Sequence, residues 1–244
     1  MRRSKLGRIV PMLFRPKALG ALITWPVFSI TSFEMLSNLL EHNVKPQSII
    51  DVGANVGQFT VAAAKKFPHA HIYSFEPLPD CALRLRRNVR RLHNVFVYGL
   101  ALGAEEGRCT MHVNSYTLSS SLLSLAPAHQ QAFPYAIEVG MAEVAISTLD
   151  NTFQGIDLPR PVLLKIDVQG YEAKVLRGAT NLLKRIDHAV IEASLKPMYE
   201  GETLFDELAD LMKSFGFTFK GKVGQLFDPS NGEILQIDAL FERG

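Results

Sequence analysis

The most constraining feature of this chain is the turn Asp51-Val52-Gly53-Ala54-Asn55-Val56-Gly57. It ends an apolar run from Ser48 and leads directly into a helical pattern from about Gly57 to Phe67. A short apolar run that turns through two glycines into a helix is the opening of a β-α-β unit, which commits the chain to a largely parallel sheet with crossover helices. The following segments keep that rhythm. Ala70–Glu76 reads as a second strand and Val95–Ala101 as a third, separated by a helix from about Asp80 to Leu92 with Ala82, Leu85, Val89 and Leu92 on one face. Val162–Asp167 and Ala189–Ala193 read as a fourth and fifth strand around a helix carrying Val175, Leu176, Ala179, Leu182 and Leu183. Thr203-Leu204-Phe205-Asp206 resembles a capping box opening a last helix, which buries Leu204, Leu208, Leu211 and Phe215 and stops at Gly216. The runs Val223–Phe227 and Ile234–Phe241 flank Asp228-Pro229-Ser230-Asn231-Gly232, a turn signal for an antiparallel hairpin. The expected fold is therefore α/β and doubly wound, with a mostly parallel seven-stranded sheet ending in a C-terminal antiparallel hairpin.

Two stretches depart from this pattern. Between Gly103 and Pro161 lie strand-like Cys109–Val113 and Val144–Ser147 around a polar, Ser-rich loop, and a connection so long inside a domain is usually functional. At the other end, Arg2, Arg3, Lys5, Arg8, Arg15 and Lys17 precede an uncharged stretch from Ala18 to Phe33. Thr24, Pro26, Ser29, Thr31 and Ser32 interrupt that stretch, which is shorter than the roughly 18 apolar residues of a spanning helix. Residues 1–46 read as a helical segment packing on or capping the domain at 47–244. Peripheral contact with a membrane surface and a cleaved signal are the other readings. Two cysteines form no disulfide framework, so a reducing, cytoplasmic setting is expected. The net charge of +2 supplies no field that would ask for nucleic acid.

The chemistry concentrates at the ends of the strands. A dinucleotide site wants glycine at the first, third and sixth places of its fingerprint, but from Gly53 the third place is Asn55 and the sixth is Gln58. A methyl-sulfonium cofactor has no pyrophosphate. Its carboxylate suits the free amides of the turn, and its ammonium suits Asp51 at the strand end. Asn55 tolerates a left-handed turn position. Glu76, 19 residues after Gly57, can accept both hydroxyls of a ribose, and Ala101-Leu102-Gly103 falls where an adenine would lie. Asp167 and Glu192 end the fourth and fifth strands beside the same crevice, placed to orient a sulfonium and to deprotonate an acceptor hydroxyl.

These residues carry a family resemblance. Ile50–Phe59, Phe75-Glu76-Pro77 and Lys165-Ile166-Asp167-Val168-Gln169-Gly170-Tyr171-Glu172 resemble the FkbM-type methyltransferases, and Ser120-Ser121-Leu122, Val175–Ala179 and Glu192 extend the likeness over about residues 47 to 241. The resemblance implies a class I, Rossmann-like fold, S-adenosylmethionine as cofactor, and O-methylation of a sugar, glycolipid or polyketide-type hydroxyl. Gln169 stands where the family commonly has Glu, so no proton-transfer role is assigned to it. RNA or protein methylation is the alternative activity, and a non-catalytic binding module a further one.

The expected site thus has Asp167 and Glu192 as catalytic residues, and Asp51, Gly53, Asn55, Gly57, Glu76, Ala101, Leu102 and Asp167 as cofactor residues. Ser121 is expected in the acceptor pocket. No metal ligand is expected: the histidines lack zinc spacing, and Mg²⁺ at Asp167 is a minor alternative. His112 and His129 in the insertion are alternative bases. Arg84, Arg86, Arg87, Arg90 and Arg91 read as a solvated helix face. The loop from about Asn114 to Met141 is expected to line the acceptor pocket and close over it.

Overall fold

The fold is that of a computed structural model, which describes residues 20–22 and 24–244. Helix α1 (Ile30–Glu41) starts at Ser29, whose hydroxyl accepts the Ser32 backbone N–H and caps the first turn. Its Met35, Leu36 and Leu39 belong to one buried cluster with Ile49, Ala62, Val223 and Leu240. Asn38 also donates to the Val223 carbonyl at 2.8 Å. Residues 1–19, including the basic stretch on which the expectation of membrane contact rests, lie outside the described residues. Among those described, no helix is long and apolar enough to cross a membrane.

Strands β1 (Ser48–Val52), β2 (His71–Phe75) and β3 (Val95–Tyr98) alternate with helices α2 (Gln58–Lys66) and α3 (Pro79–Val89). The chain then builds a separate sheet from β4 (Ala101–Leu102), β5 (Gly107–Asn114) and β6 (Glu138–Ser147), with helix α4 (Pro127–Ala132) between β5 and β6. After α5 (Leu149–Thr152) it returns to the main sheet as β7 (Val162–Ile166), followed by α6 (Glu172–Arg177) and β8 (His188–Ser194). Helix α7 (Phe205–Ser214) and the hairpin β9 (Phe217–Phe227) and β10 (Ile234–Arg243) complete it. The seven-stranded order is β3-β2-β1-β7-β8-β10-β9, parallel from β3 to β8 and antiparallel at β10 and β9. Strands β1 and β7 are buried at every position, as befits central strands covered on both faces. Their neighbouring carboxyl ends form the switch point where α/β sheets open a crevice.

Four local expectations change. The third strand stops at Tyr98, and Ala101-Leu102 pair instead with Ile146-Ser147 of the small sheet. An apolar run cannot reveal where a chain changes sheets, and here it does so across Gly99-Leu100. Strand β6 begins at Glu138 rather than Val144, because Ile137, Val139 and Met141 point to solvent, where their alternation marks no core. Strand β9 begins at Phe217, six residues before the expected start at Val223, its pattern broken in sequence by Gly221 and Gly224. Thr203 makes no capping bond: Leu204 is the residue that precedes α7 and provides no side-chain cap, while Glu202 accepts from Ser194, Met198 and Tyr199. The arginines of the α3 region are exposed, as expected. Both cysteines are free thiols.

Candidate active site

The turn after β1 is shaped by three positive-φ residues, Gly53 at 87°, Asn55 at 47° and Gly57 at 96°. A Cβ on Gly53 would lie 1.8 Å from the Asp167 carbonyl oxygen, so only glycine lets the ends of β1 and β7 approach this closely. Asn55 holds its left-handed conformation with a local bond, its Oδ1 accepting the Val56 N–H at 2.8 Å. Gly57 faces the other way: its Cβ would meet Leu85 Cδ1 at 2.6 Å, so it serves the packing of α2 against α3. It lines neither lobe of the cleft.

Glu76 ends β2 with 4 % of its surface exposed. One carboxylate oxygen accepts the Asn55 N–H at 2.8 Å and the other the Leu78 N–H at 2.9 Å. Burial outweighs these bonds and pushes its pKa up to about 7. Around it a first lobe of the cleft is walled by Leu78, Ala101, Leu102, Met111 and Tyr171. Ala101 and Leu102 line the same lobe as Glu76. Thr117, Leu118, Ser120 and Leu122 from the insertion also line this lobe, so that loop is not confined to the acceptor side.

A second lobe adjoins the first and shares Gly53, Asn55, Leu118, Asp167 and Gln169 with it. Its floor holds Lys165, Glu192, Gln236 and Asp238, and its walls include Ser32, His129, Phe133, Tyr116 and Tyr135. Lys165 lies two residues before Asp167 on the same face of the strand. Its Nζ donates to Asp51 at 3.3 Å and to Asp167 at 3.2 Å. Burial opposes the Lys165 charge, but these carboxylates outweigh it and hold the ammonium above its ordinary pKa. Asp51 itself is fully buried, with its second oxygen accepting from Thr60 at 2.7 Å. It lines neither lobe, so the ammonium contact expected of it gives way to a place beneath Lys165.

Gln169, at φ 60°, knits the catalytic candidates together. Its Nε2 donates to Asp167 at 2.9 Å and to Glu192 at 2.5 Å, while its Oε1 accepts the Tyr199 hydroxyl at 2.5 Å. An amide suits this position because it donates to two carboxylates and accepts from a phenol, which an ionised glutamate could not do. Gln236 donates to Glu192 at 3.2 Å from the other side. Burial, reinforced by Asp167 and Asp238, raises the Glu192 pKa well above the usual carboxylate range. Burial likewise lifts Asp238 to about 7 and Glu172 to about 8, the latter accepting the Val168 and Gly170 amides that shape the loop after β7.

Ser121 is not a lining residue. It is buried, donates to the Gln169 carbonyl at 2.6 Å and accepts from the Leu123 N–H at 3.0 Å, while its neighbours Ser119 and Ser120 face the lobes. His112 pairs with Glu138 at 2.9 Å outside both lobes. His129 lines the second lobe, and burial holds its pKa below the ordinary value. Among the described residues no group of three or more His, Cys, Asp or Glu could hold a metal ion. Sequence reasoning missed Lys165, Tyr199, Gln236 and Asp238. A lysine inside Val-Leu-Leu-Lys-Ile and an aspartate inside Ile-Leu-Gln-Ile-Asp-Ala-Leu-Phe are charges in otherwise apolar strands, and that anomaly was the available signal.

A crevice at the carboxyl ends of a doubly wound sheet, with a glycine turn after the first strand, an acid ending the second and an Asp on the central strand, defines a class I methyltransferase. Residues 51–219 match the Methyltransferase FkbM domain, and the chain belongs to that family. It is 27% identical over 219 residues to the 2-O-methyltransferase NoeI of Sinorhizobium fredii, covering 86% of this chain and 88% of the relative. It is 26% identical over 162 residues to the hexuronic acid methyltransferase AglP of Haloferax volcanii, covering 65% and 61%. It is 27% identical over 226 residues to the 31-O-demethyl-FK506 methyltransferase FkbM of Streptomyces tacrolimicus, covering 82% and 84%.

Proposed function

We infer that the protein transfers a methyl group from S-adenosylmethionine to a hydroxyl of a small molecule or glycan. The observation that carries this reading is the junction of two unlike lobes, one apolar around Glu76 and one polar around Glu192, at Asp167. The residues present fit the cofactor. Each Glu76 oxygen keeps acceptor capacity beyond its single amide bond, which suits the paired hydroxyls of a ribose. Leu78, Ala101, Leu102 and Met111 offer apolar surface to a base. The free amides at the start of α2, at Gln58 and Phe59, suit a carboxylate, while the Gly53 and Asn55 N–H groups are already given to Phe75 and Glu76. Bound there, the cofactor supplies an electrophilic methyl group on a positively charged sulfur.

The chain's own residues do the rest. Asp167, held by Lys165 and Gln169, offers a fixed negative charge at the junction of the lobes. Glu192, beside it, has a pKa raised toward that of an effective proton acceptor, and in its ionised form it accepts the hydrogen of an acceptor hydroxyl and takes the proton as the oxygen is alkylated. Most of the acceleration comes from alignment and exclusion of water, on the order of 7–11 kcal/mol in favourable cases. Asp51 and Ser121 act at one remove, through Lys165 and through the Gln169 backbone. Residues 47–244 make up the catalytic domain, and Ser29, Thr31 and Ser32 bring the N-terminal segment to the edge of the second lobe. The names of two relatives, a 2-O-methyltransferase and a 31-O-demethyl-FK506 methyltransferase, support an oxygen acceptor. Titration calorimetry with S-adenosylhomocysteine tests the reading: saturable binding at micromolar ligand is expected, and no heat at high micromolar ligand would overturn it.

A further inference from the structure

The second lobe carries information about charge. Its charged lining residues, among those described, are Lys165, Asp167, Glu192 and Asp238. The single cation is already committed: the Lys165 side chain is 5% exposed and lies between Asp51 and Asp167. His129 is buried and held below its ordinary pKa, so it is uncharged at neutral pH. No described cation is left to receive an anionic acceptor, and a further negative charge would push up the carboxyls that burial already raises, Asp238 to about 7 and Glu192 well above the usual range.

Asp238 is built into this floor. It stands directly opposite Glu192 in the β8–β10 register, so the two side chains share a face of the sheet. On its other side it pairs with Gly224 of β9, where a Cβ would lie 1.9 Å from Asp238 Oδ2. The missing side chain is the niche that the carboxylate occupies. Two facing carboxylates repel each other, and no described residue donates a hydrogen bond to Asp238. Such a pair weakens the fold, so its placement speaks for ligand recognition. The rest of the lobe matches a polyol: amides at Gln225 and Gln236, and Tyr116 packed edge-on against Tyr135 at 5.6 Å. Carboxylates and amides accept and donate to hydroxyls, while flat rings cover the carbon face of a sugar.

We propose that the acceptor is an uncharged glycosyl unit, bearing no carboxylate, sulfate or phosphate within the cleft, and that Glu192 and Asp238 enforce this choice. The proposal rests on the second lobe being the acceptor side of a methyltransferase. It separates this chain from a hexuronic acid methyltransferase such as the relative AglP, whose named acceptor would bring a fourth carboxylate against the three present.

The test uses matched sugars on the full chain saturated with S-adenosylhomocysteine at pH 7.5. Methyl glucoside and methyl galactoside are compared with the corresponding glucuronide and galacturonide, with binding followed by NMR titration. At least one neutral glycoside is expected to bind about tenfold or more tightly than its uronate partner. The double variant Asp238→Asn, Glu192→Gln should narrow that ratio to about threefold or less, since it removes the repulsion and keeps the shapes. An unchanged thermal shift with S-adenosylhomocysteine verifies that the variant is folded. If it is not folded, Asp238→Asn alone decides, with a ratio reduced by at least about twofold expected. Equal or tighter uronate binding to the natural protein overturns the proposal, as does a ratio the variants leave unchanged. Absence of sugar binding up to about 50 mM, a free energy too small to matter, overturns it while leaving the methyltransferase reading intact. Failure to bind S-adenosylhomocysteine would instead bring down that underlying reading.

Discussion

The two lobes of the cleft are made differently. The first is framed largely by backbone: the turn after β1 and Glu76, whose carboxylate is held by two main-chain amides, with Thr117 and Ser120 of the insertion beside them. The second is built on side chains contributed by distant segments, from Ser32 at the start of α1 to Asp238 on β10. A lobe fixed by backbone geometry tolerates few residues and holds one kind of ligand. A lobe fixed by side chains on regular strands can be rewritten one position at a time. The two meet at Asp167 and Gln169, where the requirements of both are superimposed.

The comparison breaks most violently at the junction. Lys165→Met strips the cation from between buried Asp51 and Asp167, and a loss of about 3–5 kcal/mol in unfolding free energy is expected by denaturant titration. An undiminished stability would mean that the ion pairs of Lys165 with Asp51 and Asp167 do not support the fold. A smaller and more selective effect belongs to the first lobe. Glu76→Ala should weaken S-adenosylhomocysteine by roughly 1.5–3 kcal/mol in calorimetry, the value of hydrogen bonds to a charged acceptor. Neutral sugar binding by the loaded protein should be preserved, and an equal loss at both sites would erase the distinction between the lobes.

The pH response sharpens the contrast further. In the ligand-free protein Glu76 and Asp238 titrate near 7 and Glu172 near 8, each above its unfolded value because of burial. The native state therefore holds protons that the unfolded chain has released, and stability falls as pH rises through that interval. His129, lowered from 6.5, opposes this only below about that pH, so the clean window is 6.5 to 8. Each group contributes at most about 1.4 kcal/mol per pH unit. The melting temperature should drop across the window, and a rise would show that these carboxyls are ionised in the empty fold. The smallest effect is expected of Tyr199→Phe. It removes the donor to Gln169 Oε1 and should cost about 0.5–1.5 kcal/mol of stability, with S-adenosylhomocysteine affinity unchanged.

What could be read in the sequence follows the same division. The parallel sheet, its crossover helices and the first lobe's Gly53, Asn55, Glu76, Ala101 and Leu102 were legible because glycine turns, apolar runs and strand-end acids are local signals. Asp167 and Glu192 were legible because each ends a recognisable strand. Asp51 and Ser121 were misplaced for a common reason: a polar residue beside a motif reads as a ligand contact until the fold shows what lies beneath it. Asp51 has Lys165 above it, and Ser121 has the Gln169 carbonyl. Gln169 read as a lost acid, yet its amide joins Asp167, Glu192 and Tyr199, contacts that depend on strand neighbours far apart in the chain. The small sheet was legible only in part: Cys109–Val113 and Val144–Ser147 read as strand-like, but outward-facing Val139 and Met141 hid the start of β6, and β4 is two residues long.

The niche at Gly224 has a consequence for how such a protein could change its trade. Asp238 and Gly224 face each other on β10 and β9, within one hairpin. A methyl group at position 224 would evict the Asp238 carboxylate from its niche without altering a charged residue or touching the turn after β1. New acceptors are thus within reach of single substitutions on a peripheral ribbon, while the donor-handling turn is inherited unaltered. The hairpin is an interchangeable die, and the rest of the sheet is the press that holds it.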